Sequence, residues 1–108
     1  MIEKTYVFTE SDSKIIEKIV EDDHAAINHM VLAKDDALPE HYSNSNVYLI
    51  VTRGAITVGL GEQEKHIYAA GNIIAIPYRT KMRISNQDGP VAEFFVVKAP
   101  SPRTIENS

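Results

Sequence analysis

Short apolar runs separated by polar turns fill most of the chain. "TYVF", Thr5 to Phe8, is a brief β-prone run, and "INHMVLA", Ile27 to Ala33, is another that ends in the turn "KDD". "NVYLIVT", Asn46 to Thr52, is rich in β-branched and aromatic residues and stops at Arg53-Gly54. "AITVGL", Ala55 to Leu60, follows at once, so these two runs are predicted to form a hairpin. The turn "GEQE" leads into "KHIYAA", and Gly71 opens a further apolar run that Pro77 stops. "KMRIS", Lys81 to Ser85, and "VAEFFVVKA", Val91 to Ala99, flank the turn "NQDG". Roughly six to nine short strands, with turns about every 8–12 residues, predict an all-β sandwich or barrel.

Two segments complicate that reading. In Ser13 to Val20 the pairs Ile15–Ile16 and Ile19–Val20 recur four apart, which is a helical stripe that Ser11, Asp12 or Ser13 could cap. The same residues also suit a strand buried on both faces, and the local pattern leaves both open. Val47 to Val51 is apolar on both faces. One face would line an interior. The other needs cover from a second sheet or a partner chain, which makes a homodimer the expected assembly.

Composition narrows the class. The 108 residues suit a single domain, with a barrel over residues 1–100 and a polar, Pro-rich, flexible tail over 101–108. With 44% apolar residues the chain can bury a real core. A formal charge of −4 and no basic run predict no nucleic-acid partner. No apolar run approaches a membrane span, and "MIEKTYVFTE" has no signal-peptide core, so the expected location is cytoplasmic with no membrane contact. The absence of cysteine removes disulfides, thiolate catalysis and Cys-ligated metal.

The stretch "GNIIAIPYRTKMRISN", Gly71 to Asn86, carries a family resemblance. Gly71, Pro77 and Asn86 stand in the register of the second motif of the single-domain cupins, with Arg79 at that motif's second glycine and Met82 at its histidine. "DALPEHYSNSNVYLIVTRG" resembles the first motif, with Gly54 closing it and Val47 at the glutamate. One register puts His41 and Ser43 at the two histidines and Asp35 at the opening glycine. The other puts Glu40 and Tyr42 at the histidines. The first is preferred because it keeps His41. The resemblance covers about residues 28–100 and implies a cupin-like jelly-roll β-barrel, a double-stranded β-helix, commonly dimeric, with a pocket at one end. Its members include metal-dependent enzymes as well as sugar-binding and storage proteins, so the fold does not choose a function.

A cupin metal is held by three histidines and a glutamate. Of those four positions this chain keeps His41 alone, with Ser43, Val47 and Met82 at the others. A hydroxyl, a hydrocarbon and a thioether are poor ligands for a borderline dication, so no metal or other cofactor is expected. The alternative is a divalent ion held by His41 with His29, if the barrel brings them together. Otherwise His29 is a histidine hydrogen-bonded at a sheet face, and His24 and His66 are solvated.

The polar stretch Glu40 to Tyr48 suggests the rim of a ligand pocket, with His41, Tyr42, Asn44, Asn46 and Tyr48 as its groups. Otherwise it is a polar surface loop. Arg79 would add a fork of donors for a carboxylate or phosphate, and Met82 would line an apolar floor or simply fill the core. Nothing in the pattern places Glu40 and Glu93 together as a carboxylate dyad.

The leading expectation is a small-molecule binder with an apolar barrel pocket and a degenerate metal site. The alternatives are an isomerase, a lyase or a metal-dependent enzyme using His41, with His41 as general base in a metal-free case. A third is a dimeric structural or regulatory module without a ligand.

Overall fold

The computed structural model describes residues 1–107. Nine strands run in the order β1 (Ile15–Glu21), β2 (Ala26–Ala33), β3 (His41–Tyr42), β4 (Val47–Arg53), β5 (Ala55–Leu60), β6 (His66–Ala69), β7 (Ile73–Ile76), β8 (Lys81–Ser85) and β9 (Val91–Lys98), followed by helix α1 (Pro102–Glu106). They form two antiparallel sheets, one of five strands in the order β1-β2-β9-β4-β7 and one of four in the order β3-β8-β5-β6. The sheets face each other over one apolar core in which Leu32, Leu49, Ile56 and Phe94 are fully enclosed. This is the sandwich the alternating runs predict. Among the described residues no helix is long and apolar enough to cross a membrane.

Strand pairing decides the ambiguous N-terminal segment. Ile15–Glu21 is a strand because it pairs with β2 from Ile15↔Val31 to Glu21↔Ala26, and a bulge between Lys18 and Val20 absorbs one residue. The ladder supplies backbone hydrogen bonds that a lone helix of this length could not match.

Two expectations are corrected. Thr5 to Phe8 forms no strand. Phe8 instead lies against the outer face of the five-stranded sheet, with its ring 4.9 Å from those of His29 and Phe95. β4 and β5 form no hairpin either. β4 pairs with β7 and β9, while β5 pairs with β6 and β8. Gly54, the single residue between them, has φ +68° and passes the chain from one sheet to the other. Two strands that meet at one left-handed residue diverge instead of folding back in register.

Within the tail, Pro102–Glu106 forms the short helix α1. It is tied to the β1–β2 turn, where Arg103 Nε lies 2.9 Å from Asp23 Oδ1 and the Thr104 hydroxyl donates to the Asp23 carbonyl at 2.6 Å. Pro at the start of a helix costs little, because its missing N–H has no partner there anyway.

Candidate functional site

The cupin-like skeleton is kept at the level of backbone angles. Asp35 and Arg79 are the only two non-glycine residues with positive φ among the described residues, at +70° and +62°. They occupy the two motif positions where the resembled family has glycine. Left-handed backbone favours glycine, so the angle has outlasted the residue that suits it. Asp35 in that conformation supports the register with His41 at the first histidine.

The remaining ligand positions have turned structural. Ser43 is buried; its hydroxyl donates to the Pro77 carbonyl at 2.6 Å and accepts the Thr80 amide at 2.8 Å. That pair ties the approach to β4 to the turn before β8. Val47 and Met82 lie in the packed core, 1% and 2% exposed. His41 shares its row with Met82 but sits exposed on the short edge strand β3. Its Nδ1–H donates to the Pro39 carbonyl at 2.9 Å, since a carbonyl can only accept, which leaves Nε2 free.

The predicted rim does not converge. Tyr42, Asn44, Asn46 and Tyr48 are all exposed and alternate with buried Ser43, Ser45, Val47 and Leu49, although residues 43–46 lie between β3 and β4. Asn46 and Tyr48 flank a shallow recess with Pro77, and Asn46 Oδ1 accepts the Tyr78 amide at 3.3 Å. Arg79 is exposed with its guanidinium 5.0 Å from the centre of the Tyr78 ring. His29 lies on the outer face of the five-stranded sheet between Glu17 and Glu93, and His41 is exposed on an edge strand of the other sheet, so the fold does not bring the two together. Glu40 and Glu93 are separated too. Glu40 pairs with Lys81 at 3.0 Å, and Glu93 belongs to a cluster on the other sheet.

That cluster was missed by the sequence reading. His29 is fully enclosed, with Nδ1 2.8 Å from Glu17 Oε1 and Nε2 2.6 Å from Glu93 Oε2. Arg53 Nε lies 3.3 Å from Glu93 Oε1, an ion pair too poorly aligned for a hydrogen bond. Arg53 also reaches Asp12 at 2.7 Å and the Ser11 carbonyl at 2.6 Å. Register explains the meeting, because Glu17 lies opposite His29 and Glu93 opposite both Val31 and Arg53. Each ring nitrogen of His29 thus faces one carboxylate oxygen. The only advance signal was a polar residue inside each of three otherwise apolar runs, and each run holds at least one other polar residue as well.

The cluster clamps the N-terminal segment. The Thr9 amide and hydroxyl donate to Glu17 at 2.8 and 3.0 Å. The Thr9 amide above all, then His29, holds the Glu17 carboxyl below its usual value of 4.5. A carboxyl depressed in the folded state stabilises it above the unfolded value and loses that contribution as pH falls through the folded one. The Thr9 amide should therefore exchange faster with solvent as pH drops below 4.5, after correction for intrinsic exchange. Glu17→Gln should remove that acid dependence, and an unchanged profile in the variant would refute the clamp.

A second set of polar groups gathers between the inner ends of β1, β2 and β9 and helix α1. Lys18, Asn28, Asn44, Lys98 and Ser101 line a recess of about 240 Å³ there, together with the charged side chains of Glu21, Arg103 and Glu106. Lys18 lies opposite Asn28, and Lys98 lies opposite both Ala26 and Val47. Burial first, then the Lys18 charge, pushes the Lys98 amine down from its usual range. The Ser101 hydroxyl is buried and makes no hydrogen bond. Of the predicted site residues only Asn44 belongs to this recess.

No family model matches the chain. A protein of Methanocaldococcus jannaschii, described only as uncharacterized, is 46% identical over 106 residues, which cover 97% of this chain and 91% of the relative. A crystal structure of a protein from that organism, described as an RmlC-like cupin family protein with a double-stranded beta-helix fold, superposes with a TM-score of 0.95 over 98% of both chains. A cupin superfamily protein of Desulfitobacterium hafniense is similar in fold, with a TM-score of 0.73 at 9% identity over 86% of this chain and 83% of its own. So is the polyketide cyclase RemF of Streptomyces resistomycificus, with a TM-score of 0.71 at 17% identity over 82% of this chain and 66% of its own. At such identities the last two bear on fold alone.

Proposed function

Because this chain belongs to the cupin family, we propose that it is a metal-independent cupin that binds a small molecule without transforming it. The recess at the end of the five-stranded sheet carries this reading. It gathers several polar side chains that bond to nothing else among the described residues, and such groups are what orients a small ligand. The donor set argues the same way about metal. Serine, valine and methionine at three of the four family ligand positions do not fit a borderline dication, and all three are committed to hydrogen bonding or packing. Among the described residues His41 Nε2 makes no hydrogen bond, and no group of three or more His, Asp or Glu side chains gathers as a metal site.

The reading includes a cytoplasmic homodimer. Tyr48, Ile50, Ile73 and Val97 make an uncharged strip across β4, β7 and β9 on the outer face, with Ile73 66% and Tyr48 43% exposed. An apolar strip of this kind is self-complementary, so a second copy is the occupant that fits it.

Protein purified without chelator is the test material. Its iron, manganese, nickel, copper and zinc should be far below one per chain, and light scattering should give twice 12.0 kDa. A thermal-shift screen of small acids and sugars should find a compound that raises Tm, by about 2.7 kcal/mol of stabilisation at one hundred times its Kd. Stoichiometric metal would overturn the metal-independent reading, and a screen without any shift would overturn the binder.

A further inference from the structure

The recess described above is unusual in what it leaves unpaired. Lys18 and Lys98 make no ion pair, and the amides of Asn28 and Asn44 make no side-chain hydrogen bond, among the described residues. The Ser101 hydroxyl is enclosed and also unbonded. Every one of these groups can donate a proton to a ligand. Of these groups only the Ser101 hydroxyl is fully buried, while Asn28 and Lys98 are half-buried and Lys18 and Asn44 exposed, so the cost of a buried donor without a partner falls on Ser101.

We propose that this recess is a binding site for a small oxyanion, a carboxylate or phosphate group, held by the ammonium groups of Lys18 and Lys98 with Asn28, Asn44 and Ser101 as neutral donors. The proposal rests on the binder reading and names its ligand class. Two ammonium groups repel each other across a partly dry recess, and one anion between them relieves both charges. Glu21 and Glu106 also line the recess, but among the described residues neither forms an ion pair with these lysines. Glu21 does favour the charged form of Lys98, more weakly than burial and Lys18 oppose it. The volume of about 240 Å³ limits the ligand to a few heavy atoms around its anionic group.

The floor and roof of the site come from distant parts of the chain. Lys18, Asn28 and Lys98 stand on β1, β2 and β9 along the inner face, while Ser101 and α1 close it from the tail. The Arg103 and Thr104 contacts to Asp23 hold that cover in place. The tail is thereby part of the site.

Titration of the full chain at low ionic strength with inorganic phosphate, with acetate and with a neutral sugar tests this, read by amide shifts of residues 18, 28, 44, 98 and 101. Saturable binding of phosphate or acetate is expected, and whichever binds tighter assigns the ligand as a phosphate or a carboxylate. Lys98→Met keeps the aliphatic stem and removes a desolvated charge, so it should fold at least as stably as the parent. It should weaken anion binding about tenfold or more. Lys18→Met, a change at an exposed residue, should act in the same direction. Anion binding unchanged in Lys98→Met, or no saturable shift with either anion, overturns the proposal. Saturation by the sugar alone would sink the oxyanion assignment and leave the binder reading standing.

Discussion

Gly54→Ala should cost about 3 kcal/mol or more of folding stability, the largest loss expected from any glycine in the chain. Two effects add. The residue has φ +68°, where an L side chain costs about 1–2 kcal/mol. A Cβ there would also stand 2.1 Å from the Val91 carbonyl oxygen and 3.1 Å from the Ala92 Cα. Both are backbone atoms, so no side chain can swing aside. Relief needs movement of β9, the middle strand of the five-stranded sheet. Gly71→Ala is the matched control, because φ is +95° but no atom lies within 4 Å of the added carbon. It should lose only the conformational part. Urea unfolding of both variants separates strain from collision. Equal midpoints for the two would show that the close approach to Val91 carries no weight.

Met82→Ala should cost about 2–5 kcal/mol, the range for truncating a long buried side chain. Met82 is 2% exposed and lies among Leu60, Ile84 and the other core residues, opposite Leu60 in the ladder. Truncation leaves a void that neighbours on two packed sheets cannot close. Met82→Leu, similar in volume, should stay within about 1.5 kcal/mol of the parent. The pair of variants asks whether the family's histidine position has become core or still lines an open pocket. Alanine there would be nearly harmless in an open pocket, because water already touches the side chain. A loss below about 1 kcal/mol would therefore return Met82 to the pocket.

Together these residues describe a cupin whose frame and chemistry have parted. Gly54, Gly71, Pro77 and the left-handed backbone at Asp35 and Arg79 keep the frame. Ser43, Val47 and Met82, at positions where the resembled family has metal ligands, serve packing and one pair of hydrogen bonds. The groups left with unspent hydrogen-bonding capacity sit elsewhere, at the end of the sheet beside α1.

The candidate site was legible in part. Asn44 was singled out for its polar surroundings and does line the recess. Lys18, Asn28 and Lys98 gave no signal, since each shares its strand with another polar residue and the three are far apart along the chain. His29 shows the same limit. The structure places His29 with Ile27 and Val31 on the outer face, with Met30 and Leu32 turned to the core. Its partners Glu17 and Glu93 are 12 and 64 residues away. No periodicity reports a meeting over that distance.

What the sequence by itself determined is the all-β class, most strand positions and the glycine and proline skeleton of the family. These follow from local rules, because side-chain period and backbone freedom are set within a few residues. Tertiary structure decided the rest. It made Ile15–Glu21 a strand, sent β4 and β5 to opposite sheets, turned the predicted rim outward and brought Lys18, Asn28, Lys98 and Ser101 to one recess. Each of those outcomes depends on which strands pair and in what register. A shift of one residue in that register exchanges the two faces of a strand, and only the assembled sheets set it.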